Sequence, residues 1–336
     1  MKANPLVSIL IPAYNAGEWL GQSIESALNQ TWPAKEIIVV DDGSTDRTFD
    51  VARDYVGSGV ILHQQKNAGA STARNKAFSL SSGSYIQWLD ADDMLHPKKI
   101  AEQMSRLLEI QDEHALISSA WGKFFYRKEK ARFTASLLWA DLSPCEWLTR
   151  KMESGAHMQT ATWLISRSIT EAAGPWDVRL SGDDDGEYFC RVLLQSNMVY
   201  FAPESRVYYR MTDSGRLSNF DGDDKKLDSL FASMQVHIRC LLSLGESQRV
   251  RGAIVRYLQK YMFDFHPERS DIVLEMEKIA GDFGGKLQLP KSRLKYALIE
   301  ALLGWRVSKR AQFYLPSCKN SFLQFLDKIL FRIEKS

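Results

Sequence analysis

No uninterrupted apolar run in this chain approaches the roughly 20 residues that a membrane span needs. Cysteine is scarce, with four in 336 residues. Cys145, Cys190, Cys240 and Cys318 are scattered without any C-x-x-C spacing, which speaks against a zinc site or a disulfide frame and reads as the reduced thiols of a cytosolic protein. An excess of one charge is missing too. The net charge of +2 argues against a general nucleic-acid binder, which needs a strongly basic face to neutralise phosphates. No G-x-x-x-x-G-K-[ST] loop occurs, and Tyr14-Asn15-Ala16-Gly17 stands where a dinucleotide-binding G-x-G-x-x-G turn would have to be. The N-terminus, MKANPLVSILIP, carries one Lys and a short apolar run broken by Pro12, so it reads as a first strand and a poor signal peptide. Internal repeats and low-complexity segments are absent.

What is present is an ordinary globular composition, 45% hydrophobic and 25% charged, enough for one large or two modest domains. Val7 to Ile11 is the nearly continuous apolar run of a strand buried on both faces. Leu20, Ile24, Ala27 and Leu28 share one helical face, and that helix stops before Trp32-Pro33. Glu36 to Val40 is a second buried strand ending in Asp41-Asp42-Gly43-Ser44-Thr45-Asp46, with Ser44 or Thr45 placed to cap a helix running to about Tyr55. A third strand, Val60 to Gln64, leads through Lys66-Asn67-Ala68-Gly69 into a helix carrying Arg74 and Asn75. The fourth strand opens after Gly83. Alternating strands and helices specify an α/β unit with a mostly parallel sheet and right-handed crossovers. Ligands bind such sheets beyond the carboxyl ends of the strands, where Tyr14, Asp42, residues 67–74 and Asp90 to Asp93 all fall.

The last of these, in Tyr85-Ile86-Gln87-Trp88-Leu89-Asp90-Ala91-Asp92-Asp93-Met94, crowds three carboxylates at the tip of a buried strand. Such groups resist joint ionisation unless a hard divalent cation, Mg²⁺ or Mn²⁺, is held among them together with substrate phosphates. An acidic turn capping the helix that starts near Pro97 would use the same residues. Without a phosphate-binding glycine loop, a metal on this cluster and a guanidinium such as Arg74 would have to hold any phosphate.

VSILIPAYNAGEWL, EIIVVDDGSTD, NAGASTARN and YIQWLDADD, in that order and spacing, resemble the nucleotide-binding half of a family 2 inverting glycosyltransferase with the GT-A fold. The likeness is close over residues 5–110 and looser over 110–215. It implies a Rossmann-like, mostly parallel central sheet with helices on both faces, followed by a helical C-terminal region. The corresponding units are a nucleotide-sugar-binding half (1–110), an acceptor-binding half (111–218) and the helical region (219–336). By this resemblance Tyr14 and Asp42 meet the nucleobase, with Asp42 accepting from a uracil-type N–H. Asp41 shapes that pocket, Arg74 lies near base and diphosphate, Asp90 contacts the ribose and Asp92 is the direct metal ligand. Asp93 either supports the cluster or caps the next helix. UDP-sugars are the favoured donors.

Further along, a helix is expected over Pro97 to Glu109, with strands over Ala115 to Ser119, Lys123 to Arg127 and Thr160 to Ser166. Trp121, Trp139 and Trp147 are either core aromatics or platforms for an acceptor sugar. His157 either serves structure or faces diphosphate and metal. Gly174-Pro175-Trp176-Asp177 is followed by Asp183, Asp184 and Asp185 at the start of an amphipathic helix, where acids suit the helix dipole. The family's acceptor-side pattern is an acidic pair six and seven residues before a helical Arg. Arg191 therefore selects Asp184 and Asp185, with Asp185 as general base, Asp184 as the alternative one residue away and Asp183 as an accessory acid. Two short strands, Tyr200 to Pro203 and Arg206 to Met211, precede a segment, 212–218, resembling a flexible closing loop; Arg210 or Arg216 could steady a leaving diphosphate or simply lie on the surface.

From about residue 220 the pattern is helical, with Leu227, Leu230, Phe231, Met234 and Ile238 on one face. Residues 286–336 hold eleven Lys or Arg against three Asp or Glu. That suits peripheral contact with an anionic membrane at its inner, cytoplasmic face, or a solvated basic surface. The expected activity is metal-dependent transfer of a sugar to an acceptor hydroxyl on a glycan or glycolipid in surface polysaccharide assembly, with no nucleic-acid partner. A sugar-nucleotide pyrophosphorylase, or a non-catalytic nucleotide-sugar or glycan binder, are the alternatives.

Overall fold

The apolar runs at the start of the chain form a parallel sheet whose topology creates a ligand crevice. A computed structural model describes residues 4–212 and 223–335. Strand β1 (Val7–Ala13), helix α1 (Leu20–Leu28), β2 (Lys35–Asp41), α2 (Thr48–Arg53), β3 (Val60–Gln64), α3 (Ala70–Leu80) and β4 (Tyr85–Trp88) alternate as expected. β5 (Met94–Leu95), α4 (Lys99–Ile110), β6 (Ala115–Phe124), β7 (Arg132–Phe133), α5 (Pro144–Ser154), β8 (Ile165–Ser166), α6 (Arg167–Ala173), α7 (Asp184–Leu194) and β9 (Met198–Arg210) follow. The helices α8 (Asp224–Leu244), α9 (Gln248–Phe265), α10 (Ser270–Asp282) and α11 (Ala297–Lys335) complete the chain; α11 is broken at Gly304, whose φ of 78° no α-helix contains.

The first sheet has the order β3-β2-β1-β4-β8, parallel except for β8, and the second the order β5-β9-β6-β7. After β1 the chain steps outward through β2 and β3, then returns to place β4 on the other side of β1. That reversal opens a crevice at the carboxyl ends of β1 and β4. β1 is buried along almost its whole length, as a strand covered by helices on both faces must be.

Several local expectations are corrected. Ser44 and Thr45 do not cap α2. Ser44 Oγ instead accepts from Asn15 N (2.9 Å) and Thr45 N donates to Asn15 Oδ1 (2.8 Å), which ties the end of β1 to the end of β2. The two short strands expected over 200–211 are one strand, β9. Ala202 pairs with Ser119 and the next pair is Arg206 with Ala120, so the intervening residues bulge out without ending the strand. Strand character over Thr160 to Ser166 is confined to β8 and a bridge from Leu164 to Ile117, because Thr160–Thr162 turns as a 3₁₀ helix. The segment 213–218, with Arg216, lies outside the described residues.

The expected apolar face of α8 is present: Leu227, Leu230, Met234 and Ile238 are buried in the same core cluster as Leu10, Ile86 and Trp88 of the sheet. Helices α8 to α10 therefore share a core with the α/β part, and α9 supplies part of the wall of the crevice.

Candidate active site

The ends of β1, β2 and β4 and the starts of α3 and α7 surround one cleft of about 920 Å³, with α5 and α9 closing its far side. At the near end Tyr14, half exposed, and Asp42 line the cleft. The Asp42 carboxylate accepts from Ala68 N (2.9 Å), Gly69 N (2.8 Å) and Gln65 Nε2 (2.7 Å), which fixes it at the N-terminus of α3 where the helix dipole favours an anion. Gly43 turns here with φ +70°, and a Cβ on it would stand 2.7 Å from Asn67 N, so the Asp42-Gly43 turn requires glycine. Asp41 is fully buried beneath this turn, accepting from Ser44 N and Gln64 Nε2; it braces the pocket without facing it.

The three acids after β4 separate by environment. Asp90 and Asp92 line the cleft, whereas Asp93 is fully buried. Asp93 accepts from Arg210 N (2.8 Å) and from Gln159 Nε2, and burial together with the Asp92 and Asp90 carboxylates pushes it well above the usual carboxylate range. It supports the cluster and does not cap α4, whose first residue is Lys99. Arg210 is equally committed. Its guanidinium donates to Asp92 O, Phe125 O and Gln22 Oε1, and lies 4.3 Å from the Trp19 ring and 4.5 Å from that of Phe124. Burial lowers its pKa to about 10.

Arg74 joins the two groups of acids. Its Nη2 meets Asp90 Oδ1 at 3.0 Å and its Nη1 meets Asp184 Oδ2 at 2.7 Å, while the guanidinium lies 4.3 Å from the centre of the Trp176 ring. Asn75, next in the helix, exchanges two hydrogen bonds with the Trp176 backbone, at 2.8 and 2.9 Å. The Arg74-Asn75 and Gly174-Pro175-Trp176 segments are thus two halves of one joint, and Arg191 pins the second half through Ala173 O and Pro175 O.

At the N-terminus of α7 the adjacent acids diverge. Asp184 is buried against Arg74 and Ser71 Oγ (3.2 Å). Asp183, with a left-handed φ of 54°, accepts from Ser233 Oγ at 2.6 Å. Asp185 faces the cleft and accepts from Thr160 Oγ1 (3.4 Å) and Gly186 N (2.9 Å). Burial, reinforced by the Asp183 and Asp184 charges, pushes Asp185 up to about 7, within the range of a working base. Gln159, which sequence reasoning missed, reaches both Asp90 and Asp93 from the opposite wall.

Of the three middle tryptophans only Trp147 lines the cleft; Trp139 stacks on Phe201 and Trp121 stands behind His157, with ring centroids 4.9 Å apart. The His157 ring is exposed to the cleft, and desolvation by the surrounding walls together with the charges of Lys123, Lys151 and Lys260 lowers it to about 4, so it is neutral.

A sheet reversal with acids on both banks of the crevice is the arrangement expected of a GT-A-type fold, and the comparisons show that fold. The family described as Glycosyl transferase family 2 matches residues 8–155. An uncharacterized glycosyltransferase of Rickettsia typhi is 31% identical over 224 residues, 64% of this chain and 67% of that protein. The putative teichuronic acid biosynthesis glycosyltransferase TuaG of Bacillus subtilis is 38% identical over 108 residues, 31% of this chain but only 43% of that protein. Among solved structures, S. aureus TarS 1-349 in complex with UDP-GlcNAc has a TM-score of 0.64 at 15% identity over 91% of both chains. The mannosyltransferase PcManGT of Pyrobaculum calidifontis, in complex with GDP-Man and Mn²⁺, has a TM-score of 0.57 at 16% identity, covering 96% of this chain and 88% of that one. The chain belongs to glycosyltransferase family 2 and is a transferase.

Proposed function

We propose that this enzyme moves a sugar from a nucleotide-diphosphate donor, preferably a UDP-sugar, to an acceptor hydroxyl with inversion, in surface polysaccharide or glycolipid assembly. The observation that carries the reading is Arg74, which links Asp90 on the donor bank to Asp184 beside Asp185 on the acceptor bank. Residues 1–110 would hold the donor and 111–218 the acceptor, with 219–336 as a helical support. Tyr14 and Asp42 would receive the base, with Asp41 bracing the turn, and Asp90 the ribose. Asp185 would take the proton of the attacking hydroxyl, on the opposite side of the anomeric carbon from the leaving diphosphate. The complexes of TarS with UDP-GlcNAc and of PcManGT with GDP-Man support the donor class, and the name of TuaG supports the cell-surface role.

Among the described residues no group of three or more His, Cys, Asp or Glu side chains forms a metal cage. The donor set still fits Mg²⁺ or Mn²⁺, because such ions are commonly held by one or two carboxylates together with substrate phosphates and water. Asp92 is the cleft-lining oxygen donor beside buried Asp93, and PcManGT was solved with Mn²⁺. When bound, the metal would neutralise charge on the departing diphosphate. Asp92→Ala is expected to weaken donor binding in Mn²⁺ by about tenfold or more, or roughly 1.4 kcal/mol, and to leave metal-free binding unchanged. Isothermal calorimetry with UDP and each candidate UDP-sugar, with and without Mn²⁺, makes the measurement; equal Mn²⁺-dependent affinity in the variant would remove Asp92 as the ligand.

A cytoplasmic location, at the inner membrane face, is supported by the free thiols of Cys145, Cys190 and Cys240 and by the surface of α11. No described helix is long and apolar enough to cross a membrane. α11 exposes Leu298, Leu302, Phe322, Phe325 and Ile333 within a basic sequence, the composition of a helix lying in a lipid interface. Vesicles with anionic lipid should sediment the intact chain and lose it on deletion of 286–336 or on the pair Leu302→Glu and Phe325→Glu. Unchanged sedimentation in both cases would exclude this contact.

A further inference from the structure

Beyond Asp185 the cleft continues into an end that is short of negative charge. Lys123 arrives from β6, Lys151 from α5 and Lys260 from α9, and all three line it. The Lys260 ammonium donates to Gly155 O (2.9 Å), and that of Lys123 lies 5.5 Å from the centre of the Trp121 ring. Lys151 forms no ion pair among the described residues, yet it is close enough to Asp185 to act on its charge.

Apart from Asp264, which lies between Lys260 and Lys309, the nearby acids are engaged elsewhere. Asp184 pairs with Arg74, Glu153 pairs with Arg249 and Arg256 on the outer face of α5, and Asp183 is held by Ser233. Three ammonium groups converge here on a half-enclosed space with Trp147, Tyr257 and Tyr261 in its walls. Like charges gathered along one cleft repel one another and attract an anion. The lysines also lower His157, and Lys151 together with burial lowers Lys260, against the opposing charge of Asp264.

We propose that this end of the cleft is an acceptor subsite for an anionic group, so that the acceptor is a saccharide or polyol chain bearing a carboxylate or phosphate near the reacting hydroxyl. The inference rests on the transferase reading and names its acceptor class. Lys151, nearest the Asp185 side, would hold the anion and thereby set the hydroxyl before the base, with the aromatic walls covering the carbon skeleton.

The test uses the full-length enzyme, its donor and Mn²⁺ with two matched acceptor pairs: a glucuronate-terminated oligosaccharide against its methyl ester, and a polyol-phosphate oligomer against the dephosphorylated polyol. At least one charged member should have a KM about tenfold or more below its neutral partner, and the pair that responds identifies carboxylate or phosphate as the source. Lys151→Gln should raise that KM about tenfold with a smaller change in kcat, and Lys151→Arg should restore most of it. Equal KM within both pairs, failure of every charged member to bind or react, or an unchanged KM in Lys151→Gln would overturn the subsite. Donor binding by calorimetry separates the two readings: its absence sinks the transferase proposal itself, whereas donor binding without acceptor-charge discrimination sinks only this one.

Discussion

Asp185→Asn is expected to lower turnover by about 10²-fold or more, the usual scale for a missing general base, while leaving donor affinity within about twofold. The substitution keeps the shape of the side chain and an oxygen for Gly186 N, and the amide nitrogen can donate to Thr160 Oγ1, which now donates to the carboxylate. It removes the negative charge and with it the ability to accept a proton. Asp184→Asn acts differently, because Asp184, although it reaches the cleft wall, is buried and committed to Arg74. Its effect should appear mainly in stability. Single-turnover transfer at saturating donor distinguishes the two, and retained transfer in Asp185→Asn would refute the assignment of the base.

The same residue predicts the pH profile. Burial, Asp183 and Asp184 raise Asp185 to about 7, and Arg74 and Lys151 oppose them. A base must be deprotonated to act, so kcat should fall about tenfold per pH unit below that value, and this limb should be missing from whatever activity Asp185→Asn retains. Stability runs the other way. The folded state holds a proton on Asp185 that the unfolded state has already released between its ordinary range and about 7. The contribution of this group to stability is therefore full at low pH and is lost as pH rises through about 7. The ionised base that catalysis needs is the form that folding disfavours.

How much of this was legible depended on whether the relevant contact was local. The strand ends Asp42 and Asp90 to Asp93 declared themselves, because acids abruptly ending an apolar run are a short-range signal. The division of labour among those acids did not. Asp93 is consumed by the backbone of Arg210, 117 residues away, and by Gln159, and nothing in Asp92-Asp93 says which side chain turns inward. Ser44 and Thr45 have the chemistry of helix caps, but tertiary contacts with Asn15 outweighed that local preference. The wall formed by Lys151 and Lys260 was invisible for a related reason. A lysine on an amphipathic helix has the same sequence signature whether it faces solvent or a cleft, and only the packing of α9 beside α5 distinguishes the two. The Gly174-Pro175-Trp176-Asp177 turn was flagged only by composition; its function as the seat of Arg74 needed the stacked ring.

Arg74→Met should be the most destabilising single change in the cleft, by about 3–5 kcal/mol, the usual cost of stripping a buried ion pair of one partner. Asp184 is 7% exposed, so removing the guanidinium leaves its charge with little water to solvate it. Asp90 is open to the cleft and would lose less. The cation also covers Trp176, and the unbranched Met side chain fills part of the vacated space, so the expected loss reflects the uncompensated charge more than lost packing. Arg74→Lys retains a charge but no planar fork, and one ammonium is poorly placed to reach both carboxylates, so an intermediate loss is expected. Adding Asp184→Asn to Arg74→Met should recover a substantial part of the stability, because it removes the stranded charge. Urea midpoints for the single and double variants measure this coupling, and purely additive effects would show that the two side chains do not act as a pair. Recovered stability without recovered transfer is the expected result. It would separate the structural work of this guanidinium, bridging the two banks, from the orientation of Asp185 that the bridge maintains.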